Sequence, residues 1–92
     1  MWYLYITKNQ NGAFYTGVTT NVERRLTEHL EGKGGHYTSQ NRPQRLLYTE
    51  KFRTRAEAEA RERQIKRWSK KKKQALIEGN TEELRRLSIS RD

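Results

Sequence analysis

The sequence has 92 residues, 32% of them apolar and 34% charged, enough for one small domain with one core that leans on nine aromatic residues. Twenty Lys and Arg against eleven Asp and Glu leave a formal charge of +9, which points to a polyanionic partner, nucleic acid before an anionic membrane. The lack of cysteine excludes disulfides and thiolate chemistry, and no secretory leader, membrane-length apolar run or long basic amphipathic helix is visible, so a cytoplasmic protein with no membrane partner is expected.

"WYLYIT" (2–7) is aromatic and β-branched throughout and reads as a strand. Trp2, Leu4 and Ile6 face one way, Tyr3 and Tyr5 the other. "KNQNG" (8–12) ends in Asn-Gly, a hairpin signal, and makes "AFYTGV" (13–18) the partner strand. Gly17 inside that strand signals a bulge or a close backbone approach. "TNVE" (20–23) has capping-box form with Thr20 at the cap, and opens a helix striped by Val22, Leu26 and Leu30. "GKGG" (32–35) ends it. Pro43 precedes a third strand, "RLLYTEKF" (45–52).

"TRAE" (54–57) is a second capping box, and its helix runs through "AEARERQIKRW" with Ala58, Ile65 and Trp68 on one face. Ser69 caps a third helix, "KKKKQALIEG", that ends at Gly79. Asn80 to Glu83 open a short last helix, and "ISRD" is a frayed tail. The chain is thus α+β, with three strands, the first two a hairpin, and three to four helices. No repeat or linker divides residues 1–92.

Some side chains sit where packing alone does not ask for them. Arg25 and His29 are four residues apart and fall on one edge of the apolar stripe, while Arg24 points to solvent. Tyr15 shares a strand face with Ala13 and Gly17. Glu62 lies on or beside the Ala58–Ile65 face, where a carboxylate needs a positive partner: an arginine, a metal ion, or Lys66 at i+4. Glu59 points to the far side and can pair with Arg63. Each residue also has a plain structural explanation. Tyr5 and Tyr15 can pack across strands, His29 can be a half-buried polar cap, and Glu62–Lys66 can be a helix salt bridge.

Taken in order, "YLY" (3–5) and "YTG" (15–17) resemble the paired signature of the GIY-YIG nuclease family. Arg25 matches the family's helix arginine, His29 the His or Tyr that follows it, and Glu62 in "EARERQIK" the helix glutamate. "GGHYTSQNRP" and "QALIEGNTEEL" resemble the small stand-alone bacterial members. The resemblance covers nearly the whole chain. Tyr3 stands where the family has its first glycine, and Thr16 where it has isoleucine.

The resemblance implies a small three-stranded antiparallel sheet with an N-terminal hairpin, packed against about three to four helices. It implies phosphodiester hydrolysis with one divalent ion, Mg²⁺ or Mn²⁺, and Glu62 as the metal ligand. Arg25 would hold the phosphoryl oxygens. Tyr15 would be the general base or proton relay, His29 would accept or orient its proton, and Tyr5 would position water or phosphate. The expected function is a metal-dependent endonuclease in DNA repair or processing, directed by DNA structure or damage. DNA is favoured over RNA, with targeting by DNA shape or by a partner protein. The alternative is a non-catalytic nucleic-acid-binding module, for DNA or RNA, that keeps the fold. Lys33, Arg42, Arg45, Lys66, Arg67, Lys70, Lys71, Lys72 and Lys73 are the candidate nucleic-acid contacts. For the lysine run, the competing explanation is a solvated helix face. Oligomeric state is not legible.

Overall fold

Alternating aromatic and aliphatic residues make β1 (Trp2–Asn9) the middle strand of an antiparallel sheet in this computed structural model. The structure describes residues 1–30 and 43–89. After β1 come β2 (Phe14–Thr19), α1 (Val22–Leu30), β3 (Pro43–Phe52), α2 (Arg55–Lys66), α3 (Lys70–Glu78) and α4 (Thr81–Ile89). The sheet order is β2-β1-β3. The α+β architecture read from the sequence is the one observed.

The hairpin closes as a three-residue loop. The Gly12 N–H donates to the Asn9 carbonyl at 3.0 Å and the Asn9 N–H to the Ala13 carbonyl at 2.8 Å. Gly12 takes φ +85°, the left-handed residue that such a loop requires. From there β1 and β2 pair in unbroken register, Tyr5 opposite Gly17 and Thr7 opposite Tyr15. The β1–β3 ladder is less regular and shifts register after Ile6 and after Lys8.

Local capping sets the helix starts. The cap of α1 is Asn21, whose Oδ1 accepts the Arg24 N–H at 2.9 Å. Thr20, expected at that place, is one residue too early. The preceding turn is held instead by Thr19, whose hydroxyl accepts the Asn21 N–H at 3.2 Å. The second capping box is complete, with Thr54 and Glu57 exchanging bonds of 3.2 Å in each direction. Ser69 caps α3, and Gly79 ends it at φ +69°. Asn80 Oδ1 accepts the Glu83 N–H at 3.1 Å and caps α4. On α2, Glu59 pairs with Arg55 at 3.0 Å, not with Arg63 as its spacing suggested. The pair therefore runs back towards the helix start.

Successive residues of β1 point to opposite sides, and Leu4, Tyr5, Ile6 and Thr7 are all buried. The strand is thus covered on both faces. On one, Leu4 and Ile6 meet Ile65 of α2 and Leu76 of α3, ringed by Phe14, Val18, Tyr48, Phe52 and Trp68. A charged cluster bolts this side to β3. Arg61 of α2 forms two bonds to the Glu50 carboxylate, at 3.0 and 3.1 Å, and Tyr48 donates to the same carboxylate. The other face carries Tyr3, Tyr5 and Thr7 and lies under α1.

Ile65 is fully buried at the centre of the core. Its replacement by alanine is expected to cost about 2–5 kcal/mol, read as a lower midpoint in thermal or urea unfolding.

Candidate active site

The site grows from the contact between two strands. Tyr5 on β1 lies directly opposite Gly17 on β2, and its ring occupies the space a side chain would take there. A Cβ on Gly17 would stand 2.7 Å from the Tyr5 hydroxyl oxygen, 2.8 Å from its ring carbon Cζ and 3.1 Å from Cε2 of Tyr15. The glycine therefore serves close approach; of the two readings offered by the sequence, a bulge is excluded by the even register. The two tyrosine rings then meet at 6.1 Å between centroids, tilted by 45°.

α1 places Arg25 over this pair, its guanidinium facing the Tyr5 hydroxyl. Burial pushes the Tyr5 phenol up to about 12, with Tyr15 adding to the rise and Arg25 opposing it. Tyr5 thus keeps its proton at neutral pH and is a hydrogen-bonding group there. Contact with Tyr5 in turn raises the Arg25 pKa, so the guanidinium stays charged. Arg25 also approaches Glu28 at 3.7 Å, a loose and half-exposed pair of little energetic weight. Its Nε is buried and has no hydrogen-bond partner among the described residues. A buried donor left in that state is costly, and an oxygen of a bound anion would satisfy it.

The structure thus brings Tyr5, Tyr15, Gly17 and Arg25 together. His29 follows Arg25 by four residues in α1, and its side chain falls outside the described set. Glu62 is carried by α2, on the opposite side of the sheet from α1. α2 packs against β2, the strand that bears Tyr15 and Gly17, so Glu62 and Tyr15 stand on adjoining elements. The Glu62 side chain is 19% exposed and pairs with Lys66 at 3.2 Å, the helix salt bridge that its spacing allowed.

No group of three or more His, Cys, Asp or Glu that could cage a metal occurs among the described residues. A hard divalent cation takes oxygen donors, and the partly buried Glu62 carboxylate is one such donor.

The basic residues divide by environment. Arg45 is exposed on β3, and Lys33 and Arg42 lie outside the described residues. Lys66, Arg67, Lys70 and Lys71 are exposed. Lys70 donates to the Gly12 carbonyl at 3.3 Å and covers the Phe14 ring, which ties α3 to the hairpin. Burial and the nearby Lys66 lower the Lys73 pKa. Lys72 is only 5% exposed, with its ammonium 4.4 Å from the Trp68 ring centroid. The run is therefore not one uniformly solvated face. Sequence reasoning passed over Thr7, which is fully buried opposite Tyr15 with its hydroxyl unpartnered among the described residues. Strand alternation alone would have placed it beside Tyr5.

Three comparisons bear on this arrangement. The profile of the GIY-YIG catalytic domain matches residues 1–75. A UPF0213 protein of Desulfotalea psychrophila is 44% identical over 80 residues, covering 86% of this chain and 73% of the relative. Another, from Staphylococcus haemolyticus, is 46% identical over 76 residues, covering 83% of this chain and 93% of the relative. Among solved structures, the solution NMR structure of a UPF0213 protein from Bacillus halodurans is similar, with a TM-score of 0.54 and 40% identity. That match covers 85% of this chain and 84% of the other.

The buried phenol makes a pH signature. Tyr5 and Tyr48 are both raised to about 12, each chiefly by burial, against about 10 in the unfolded chain. The native state then holds these protons more tightly than the unfolded state. Their contribution to stability is constant below pH about 10 and declines as pH rises from about 10 towards about 12. In an alkaline absorbance titration, Tyr5→Phe is expected to remove one late-ionising phenol from those of the wild type.

Proposed function

This chain belongs to the GIY-YIG catalytic domain family, a nuclease-type fold, and on that premise we propose that it is a divalent-metal-dependent endonuclease hydrolysing DNA phosphodiester bonds. The observation that carries the reading is the buried Arg25 Nε, which lacks a partner among the described residues beside two tyrosines packed over a glycine. A core built only for stability would not leave a guanidinium donor unsatisfied at its rim. A phosphoryl oxygen supplies the missing acceptor.

Arg25 grips the phosphoryl oxygens through its planar fork, and the grip tightens as negative charge grows in the transition state. Tyr5 donates its retained proton to a phosphoryl oxygen or to the attacking water, and so fixes the line of attack. Tyr15, less buried than Tyr5, takes the proton from that water or relays it, and His29 accepts or orients that proton. Glu62 would hold Mg²⁺ or Mn²⁺. Such an ion, when bound, supplies neutralising charge to the phosphate and the leaving oxygen.

The +9 charge provides sequence-independent affinity for the nucleic-acid backbone. Selection would then follow DNA shape or damage, as in repair or processing, with or without a targeting partner protein. DNA is preferred over RNA in this reading, and competition binding between the two measures the preference.

Incubation with labelled flaps, junctions, duplexes and single strands in Mg²⁺ or Mn²⁺ tests the activity. Cleavage by the wild type is expected. Arg25→Ala is expected to lower kcat by about 10²–10³-fold, the usual loss for one transition-state donor, and Glu62→Ala to remove metal-dependent cleavage. Full activity in both variants would sink the mechanism. Tight binding without any cleavage would favour a non-catalytic binding module on the same fold.

A further inference from the structure

The corner between α2 and α3 carries a second cationic feature. Arg63, Gln64, Lys66, Arg67, Trp68 and Lys72 line an open groove of about 830 Å³. Four of these six are cations and none is a carboxylate. Lys66 is shared with Glu62, whereas Arg63, Arg67 and Lys72 form no ion pair or side-chain hydrogen bond among the described residues.

Lys72 is the anomaly. It is 95% buried by residue, yet it lines the groove and its ammonium rests against the face of Trp68. The stem is what is packed away, whereas the ammonium reaches the groove and gains from the ring face beside it. A lysine on a solvated helix face would have its head in water. Here the aliphatic stem is packed into the protein and the ammonium is held in one place. That fixes a positive charge at the wall of the groove.

We propose that this groove is a phosphate-binding site, with Lys72 as its fixed cation, that holds a backbone phosphate of a nucleic-acid strand at a distance from the bond being cleaved. The inference rests on the nucleic-acid reading above. Trp68 positions the Lys72 ammonium, and Arg63 and Arg67 flank it from α2. Lys66 joins the groove to Glu62 along one helix. An open groove with cations spread along a helix suits a phosphodiester chain better than a single enclosed anion.

The test is binding without cleavage. A short duplex oligonucleotide is titrated in EDTA at several salt concentrations into wild type and Lys72→Met, and thermal midpoints are measured in parallel. Lys72→Met is expected to weaken binding by roughly threefold to tenfold and to reduce the salt slope by about one, the signature of a lost phosphate contact. Its midpoint should be unchanged, because methionine keeps the packed stem and removes only the charge at the groove. Wild-type affinity and slope in the variant would overturn the site, and a lowered midpoint alongside would leave Lys72 a packing residue. Inorganic phosphate gives a second arm, followed by the Trp68 indole N–H resonance. Saturation by phosphate that the oligonucleotide does not displace would overturn the strand assignment, and so would a wild type that binds neither probe. Because this readout needs no cleavage, loss of the nuclease mechanism and loss of this site are separate results.

Discussion

The candidate site depends on the Tyr5 phenol lying against Gly17. With no side chain on β2 at that register position, the phenol of β1 can cross the gap between strands and reach Tyr15. With its hydroxyl fixed there, Arg25 has a neutral, hydrogen-bonding neighbour that holds its fork without neutralising it. A carboxylate in that position would have cancelled the charge of the guanidinium. A phenol kept protonated by burial orients the guanidinium and leaves its charge available.

The same strand also has to hold the domain together. β1 is buried on both sides, so alternate residues serve different purposes: Leu4 and Ile6 build the core with α2 and α3, and Tyr5 and Thr7 build the site under α1. A one-residue slip would exchange the two sets. Register is held by the Gly12 loop at one end and by the large core side chains along the strand. In so small a domain the site has no separate scaffold. The rigidity of the tyrosine pair is the rigidity of the core strand, which suits the precise placement that the proposed chemistry requires.

Much of this was legible before any coordinates. The strand alternation separated Tyr5 from Leu4 and Ile6, and helical spacing separated Arg25 from Arg24. Three capping residues, Thr54, Ser69 and Asn80, were placed from side-chain chemistry alone. The misplaced cap at Thr20 arose because Thr19, Thr20 and Asn21 are all competent acceptors and only the tertiary chain path selects among them. Glu59 could pair forwards or backwards along its helix, and spacing treats both alike. The split of the lysine run was not legible. It depends on Trp68, which lies just past the end of α2 and folds its ring back onto the core, where it meets Lys72 and Arg61. Gly17 gave a signal of close approach, but the partner filling the space could be identified only from the register.

The contact between Tyr5 and Gly17 is the central claim, and Gly17→Ala addresses it most directly. The added methyl meets the Tyr5 phenol and the Tyr15 ring, so overpacking by about 1–3 kcal/mol is expected. The measurement is the alkaline titration of the Tyr5 phenol in the folded variant, alongside its unfolding midpoint. A lower midpoint is expected, with a Tyr5 phenol that no longer ionises near pH 12, because the ring is displaced from its burial site. Wild-type stability with an unchanged late ionisation would contradict the central claim.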